Sequence, residues 1–202
     1  ADVGGGNIDS DPDCIWVKDR LINKYVAVSH GKWGPTKTAQ LLMAAGYFYH
    51  RAKICWETNN HGVAVSIKVW EAQYPNVYKW DDKAETYKGM GFPTTEASRR
   101  LALAALKTVY ENLNQPVQIP YVEFYREAAA FGPPAGKPDG KPEGQNGVPD
   151  DCMMGMAVTE ACSASMGEPT RIETWTPSQP GSFGAIREMV SGGSRGGLKG
   201  VM

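Results

Sequence analysis

The stretch Lys53-Ile54-Cys55-Trp56-Glu57 decides how the chain is read. It is brief, mostly apolar and closed by a carboxylate, the pattern of a central strand covered on both faces. A polar turn, Asn59-Asn60-His61-Gly62, follows it. Working upstream, Pro35 and Thr36 open a segment with Ala39, Leu42, Met43 and Tyr47 at helical spacing, which predicts an amphipathic helix over residues 35–51. Before that helix lie Cys14-Ile15-Trp16-Val17 and Lys24-Tyr25-Val26-Ala27-Val28-Ser29. β-Branched and aromatic residues favour a pleated surface and the intervening turn is polar, so this pair reads as an antiparallel hairpin.

Working downstream, residues 63–73 read as a helix and 74–95 as an edge strand and loop. Thr94 and Thr95 then precede a third helix: a threonine caps it, Glu96 suits the positive end of its dipole, and Ala97, Leu101, Ala105 and Leu106 form a core stripe running toward Leu113. A short strand at 117–119, a helix at 122–131 and a mobile Gly/Pro/Lys-rich hairpin or loop at 132–147 come next. Pro149-Asp150-Asp151 starts a last helix reaching about Ser165. Strands first, then alternating helix and strand, predict an α/β sheet in which an antiparallel hairpin precedes parallel strands.

The chain has 202 residues, 42% of them hydrophobic and 21% charged, enough for one sizeable core. Residues 1–166 are expected to form one domain. From Gly167 onward, eight glycines in 36 residues and almost no clustered apolar residues predict a flexible tail, 167–202. The net charge of -1 excludes an overall positive field that would pull the protein onto nucleic acid, so any DNA contact must be a local patch. Cys14, Cys55, Cys152 and Cys162 show no CxxC spacing and read as buried thiols of a reducing compartment, not a disulfide framework or a zinc site. No apolar run reaches the roughly 20 residues needed to span a bilayer. The expected setting is intracellular. The opening Ala1-Asp2-Val3-Gly4-Gly5-Gly6 reads as the end of a strand, as in a domain cut from a longer polypeptide.

Three acidic sites share a placement that suits chemistry. Asp2 ends an apparent strand before glycines, Glu57 ends an apolar strand, and Asp150-Asp151 opens a helix. Carboxylates so placed can converge, and clustered carboxylates repel one another unless a cation lies between them. Oxygen-only ligands favour Mg²⁺ or Mn²⁺ over zinc, and two such ions suit phosphodiester hydrolysis. Other roles are open for each group: Asp150-Asp151 as helix caps, Asp2 as a strand end, and Asp9, Asp11 and Asp13 as solvated loop acids. Glu57 is costly to bury without a partner. Gly132-Pro133-Pro134-Ala135-Gly136-Lys137 is one residue short of a phosphate-binding loop and lacks its Ser or Thr, which argues against nucleotide binding.

Four segments carry a resemblance. Ala1 to Gly6 followed by Asp13-Cys14-Ile15-Trp16-Val17, Glu57-Thr58-Asn59-Asn60-His61-Gly62, Gly91-Phe92-Pro93-Thr94-Thr95 with Ser98-Arg99, and Gly147-Val148-Pro149-Asp150-Asp151 with Gly155 and Ala157 resemble, in order, the motifs of the nuclease domain of tailed-bacteriophage terminase large subunits. The resemblance covers residues 1 to about 165. It implies a ribonuclease H-like mixed β-sheet flanked by helices and a two-metal endonuclease that cleaves concatemeric viral double-stranded DNA during genome packaging. It implies Asp2, Glu57 and Asp151 as catalytic ligands, with Asp150 as a further ligand or a cap, and Mg²⁺ or Mn²⁺ as the cofactor. Pro149 stands where that family often has histidine.

Asp13 matches the family's second-strand aspartate and either binds metal or holds its loop. His61 is a candidate for orienting or contacting DNA, or a plain turn residue. Arg99 and Arg100 are candidates for phosphate contact or for a solvated helix face; Lys137 and Lys141, on a basic loop, suit the duplex backbone better. The implied partners are double-stranded DNA, an upstream ATPase motor domain, and the portal and small terminase subunits. The implied setting is the packaging complex in the host cytoplasm, with no membrane. Two rival readings remain: another ribonuclease H-like nuclease, of the resolvase type, and a non-catalytic docking domain.

Overall fold

In β1 (Asp13–Asp19), successive side chains point to opposite faces of the sheet, and both faces are buried. Cys14 and Trp16 join a core with Tyr25, Phe92, Ala102, Leu106, Phe124 and Met156, whereas Ile15 joins a second core with Ala39, Leu42, Ile54, Trp56, Val65 and Val69. A strand that buries both faces needs helices on both sides. The computed structural model describes residues 1–6, 9–137 and 140–169.

β1 pairs antiparallel with β2 (Lys24–Gly31), Cys14 facing His30 and Trp16 facing Val28. On the other edge of β1, the Asp2 and Cys14 backbones exchange hydrogen bonds of 2.9 and 3.2 Å. The residue-1 backbone continues the sheet into the next segment: its amino group donates to the Cys55 carbonyl at 2.8 Å, and the Glu57 amide donates to the Ala1 carbonyl at 2.9 Å. Parallel bridges then join Ile54 to Val77 and Glu57 to Phe92, and another joins Lys24 to Gln118 on the far side. The expected central strand at 53–57 is thus real as backbone pairing, though its bridges are too short to form a regular strand. The fold is mixed α/β.

One face carries α1 (Pro35–Phe48) and α2 (Gly62–Glu71). The first helix stops three residues short of the expected end because His50 and Arg51 have positive φ, at 57° and 59°. The opposite face carries α3 (Glu96–Tyr110), α4 (Val122–Ala130) and α5 (Asp151–Ser165). Thr95 caps α3 as expected, and Ser98 completes the box by accepting from the Thr95 amide. Of the expected core stripe of α3, Leu106 faces the core, but its first two positions are displaced by one residue. Ser98, Ala102 and Leu106 face the core, while Leu101 is 65% exposed and Ala97 is on the solvent side. Helical periodicity locates a stripe only to within a residue when alanines flank it on both sides, and contact with α5 settled the choice.

The loop after α4 closes as a two-residue ladder, β3 (Phe131–Gly132) with β4 (Glu143–Gly144), matching the hairpin expected at 132–147. The tail expected from 167 lies outside the described residues from 170 onward. Among the described residues, no helix is long and apolar enough to cross a membrane.

Candidate functional site

The turn after Glu57 is tight. The Gly62 amide donates to Asn59 at 2.8 Å, Asn60 adopts φ 45°, and a Cβ on Gly62 would lie 1.8 Å from the Glu57 carbonyl, so only glycine fits there. The Asn59 side-chain amide donates to the Thr94 carbonyl, tying the turn to the start of α3. Glu57 therefore sits at the end of the central segment with its carboxylate beside Asp2, one sheet position away.

α5 supplies the third carboxylate by lying directly on the sheet. A Cβ on Gly155 would meet the Cys14 carbonyl at 3.1 Å and the Asp2 amide at 3.3 Å, and the Trp16 indole N–H donates to the Cys152 carbonyl at 3.0 Å. The absent side chain at Gly155 allows this approach, which brings the first turn of α5 to the Asp2 end of the sheet. Asp2, Glu57 and Asp151 are brought together. Burial, then the facing Glu57 and Asp151 carboxylates and a hydrogen bond with Glu57, hold the Asp2 carboxyl well above the ordinary carboxylate range. Burial pushes Asp151 up to about 8, with repulsion from Asp11, Glu127 and Asp150 adding to it. Asp151 is 5% exposed and its Oδ2 is buried without a hydrogen-bond partner.

A buried, unpaired carboxylate oxygen beside two further carboxylates costs free energy unless something positive occupies the space between them. The donor set is all oxygen, which suits Mg²⁺ or Mn²⁺. The residues present therefore suit such an ion in chemistry, through an orphaned oxygen and mutual repulsion, while their three carboxylates do not all place an oxygen within 4.8 Å of one another and would draw together around it.

Asp150 does not join this group. It occupies the N-cap position of α5, but its side chain makes no capping bond; it pairs instead with Arg99 at 3.1 Å. The capping expected of Asp150 falls to Glu127 of α4, whose carboxylate accepts the Met153 amide at 2.9 Å. No local pattern in the sequence marks Glu127, because a cap supplied from another helix leaves none. Asp11, expected as a solvated loop acid, is exposed, yet its charge bears on Asp151.

Asp13 is wholly buried and fully engaged: it accepts the Gly4, Trp33 and Gly34 amides at 3.1, 2.9 and 3.3 Å and the Thr38 hydroxyl at 2.5 Å. Of its two expected roles it fills the structural one, fastening the glycine loop to the start of α1. His61 is exposed at the start of α2, with its ring over the Gly5 backbone; a Cβ there would lie 3.0 Å from Nε2.

A cleft of about 900 Å³ leads away from Glu57. It is lined by Asn59, Asn60, Thr94, Arg99, Arg100 and Lys141 among others, so the carboxylate end opens onto a basic wall. Arg100 is exposed and paired with Glu96 within its own helix. Arg99 is largely buried; besides Asp150 it donates to the Pro142 carbonyl at 3.0 Å, holding the β3–β4 loop against α3, and its Nε has no partner. Lys137 is exposed on that loop but does not line the cleft. Compared with known proteins, the chain matches no family model and no curated protein.

Proposed function

We propose that the protein is a metal-dependent endonuclease acting on double-stranded DNA. The observation that carries this reading is the convergence of Asp2, Glu57 and Asp151, from the chain start, the central segment and α5, with the Asp151 Oδ2 left unpaired. These three carboxylates would hold two divalent ions, and bound ions supply activation of a water and neutralisation of charge on the leaving oxygen. The chain's own residues do the rest. Asp2 and Glu57 are fixed by backbone pairing of the sheet, Asp151 by the close seat of Gly155, and Arg100 and Lys141 offer positive charge to a phosphate backbone approaching along the cleft.

The antiparallel hairpin followed by parallel pairing supports the ribonuclease H-like reading of the sheet, and the four motif segments support the terminase-type reading. On that reading the substrate is concatemeric viral DNA, the partners are an ATPase motor, a portal and a small terminase subunit, and the setting is the host cytoplasm.

Supercoiled plasmid incubated with Mn²⁺, Mg²⁺ or EDTA tests the reading. Cutting that needs the metal, is lost in Asp2→Ala, Glu57→Ala and Asp151→Ala, and survives in Asp150→Ala is the expected result. Equal activity in all four variants would overturn the site, and a folded wild type that cuts nothing under any metal would favour a docking domain.

A further inference from the structure

Behind the carboxylate site, on the α3–α5 face of the sheet, lies a second cluster of different chemistry. His30 of β2, Glu127 of α4 and Cys152 of α5 each place a donor atom within 4.8 Å of the others. Cys14 is directly across the ladder from His30, and its thiol donates to the Cys152 sulfur at 3.4 Å, too far for a disulfide, so it supports the Cys152 sulfur from outside the group of three. We infer that His30 Nε2, the Cys152 thiolate and a Glu127 oxygen form a three-donor, zinc-class metal site that is separate from the carboxylate site, with the fourth position left to a water.

Three observations carry this. His30 Nε2 is buried and has no hydrogen-bond partner, while Nδ1 meets the Tyr121 hydroxyl at 3.0 Å. That is the arrangement of a metal-binding imidazole: one nitrogen oriented by a neighbour, the other free to coordinate. Burial also lowers the His30 pKa and so favours the neutral, coordinating form. Second, Glu127 caps α5 through Oε2 on the Met153 amide and also hydrogen-bonds the Cys152 thiol, so the two side chains already meet, and loss of the thiol proton on metal binding releases that bond. Third, the donor set is mixed sulfur, nitrogen and oxygen, which selects zinc over Mg²⁺, in contrast to the all-oxygen site. Ligand atoms around tetrahedral zinc stand about 3.5 Å apart, so the three donors, all within 4.8 Å of one another, need to approach by about 1 Å at most. Binding displaces the Cys152 thiol proton to solvent. The ion would clamp β2 and α4 to the first turn of α5, the turn that carries Asp151.

Cobalt titration of the full chain, purified without added metal, tests this, because a thiolate gives Co²⁺ a charge-transfer absorption that carboxylates cannot give. One equivalent of Co²⁺ showing that band, displaced by Zn²⁺ and unchanged in Asp2→Asn, is expected. His30→Gln, at a half-buried position that spares the core, should weaken binding by more than about a hundredfold, and Tyr121→Phe by about tenfold. Cys55→Ser should leave the band intact. Absence of the band in the wild type, an unaltered affinity in His30→Gln, or loss of the band in Cys55→Ser would each overturn the site.

Discussion

Asp13 and Asp151 are two buried aspartates at the same end of one sheet, and their surroundings differ completely. Asp13 accepts four hydrogen bonds from the glycine loop and the start of α1; Asp151 has a carboxylate oxygen with none and three acidic neighbours. A carboxylate whose lone pairs are all used stabilises its surroundings as an anion. One that is buried and unpaired strains the fold until a proton or a cation reaches it. The contrast separates a structural acid from a ligand, although sequence placed both at comparable junctions.

The largest effect expected from that contrast is on activity. Asp151→Asn should lower metal-dependent plasmid cleavage by more than about a hundredfold, beyond what a merely supporting residue contributes, while leaving the protein folded. Near-normal cleavage would break the distinction. Asp13→Ala should do the reverse. It strands three amides and a hydroxyl, and chemical denaturation should show a loss of about 4 kcal/mol, with metal affinity of the remaining folded fraction little changed.

A pH series sharpens the comparison further. An unfolded chain releases the Asp151 proton near pH 4, whereas the folded protein keeps it to about 8, so the ion-free protein binds more protons folded than unfolded across that window. Its stability is therefore fully present below about pH 4 and declines as pH rises toward 8, and Asp2, raised in the same direction, adds to the slope. Thermal melts in EDTA should show a midpoint falling from pH 5 to pH 8, with Mg²⁺ or Mn²⁺ restoring it and Asp151→Asn flattening it. A slope untouched by that substitution would remove Asp151 as its source. The smallest effect concerns the cleft: Lys141→Ala and Arg100→Ala should each reduce the salt slope of DNA binding by about one, uniformly across sequences.

Much of the frame was legible in the chain itself. The hairpin, the capped start of α3 and the apolar run ending on Glu57 follow from local rules: side-chain alternation, a threonine before a helical stripe, and a charge that cannot be buried at no cost. The register of α3 was not legible, because Ala97 and Ala102 look alike until α5 packs against one of them.

The sequence by itself determined which residue types were available and which segments would be strand or helix, since those depend on near neighbours along the chain. Only the tertiary structure decided that Asp151 and not Asp150 faces Asp2, that Asp13 is satisfied, that Glu127 caps a helix other than its own, and that His30, Glu127 and Cys152 share one buried space. Each of those outcomes depends on a contact between residues far apart in the chain, and the energy of an unpaired or shared lone pair is fixed by what lies across the gap.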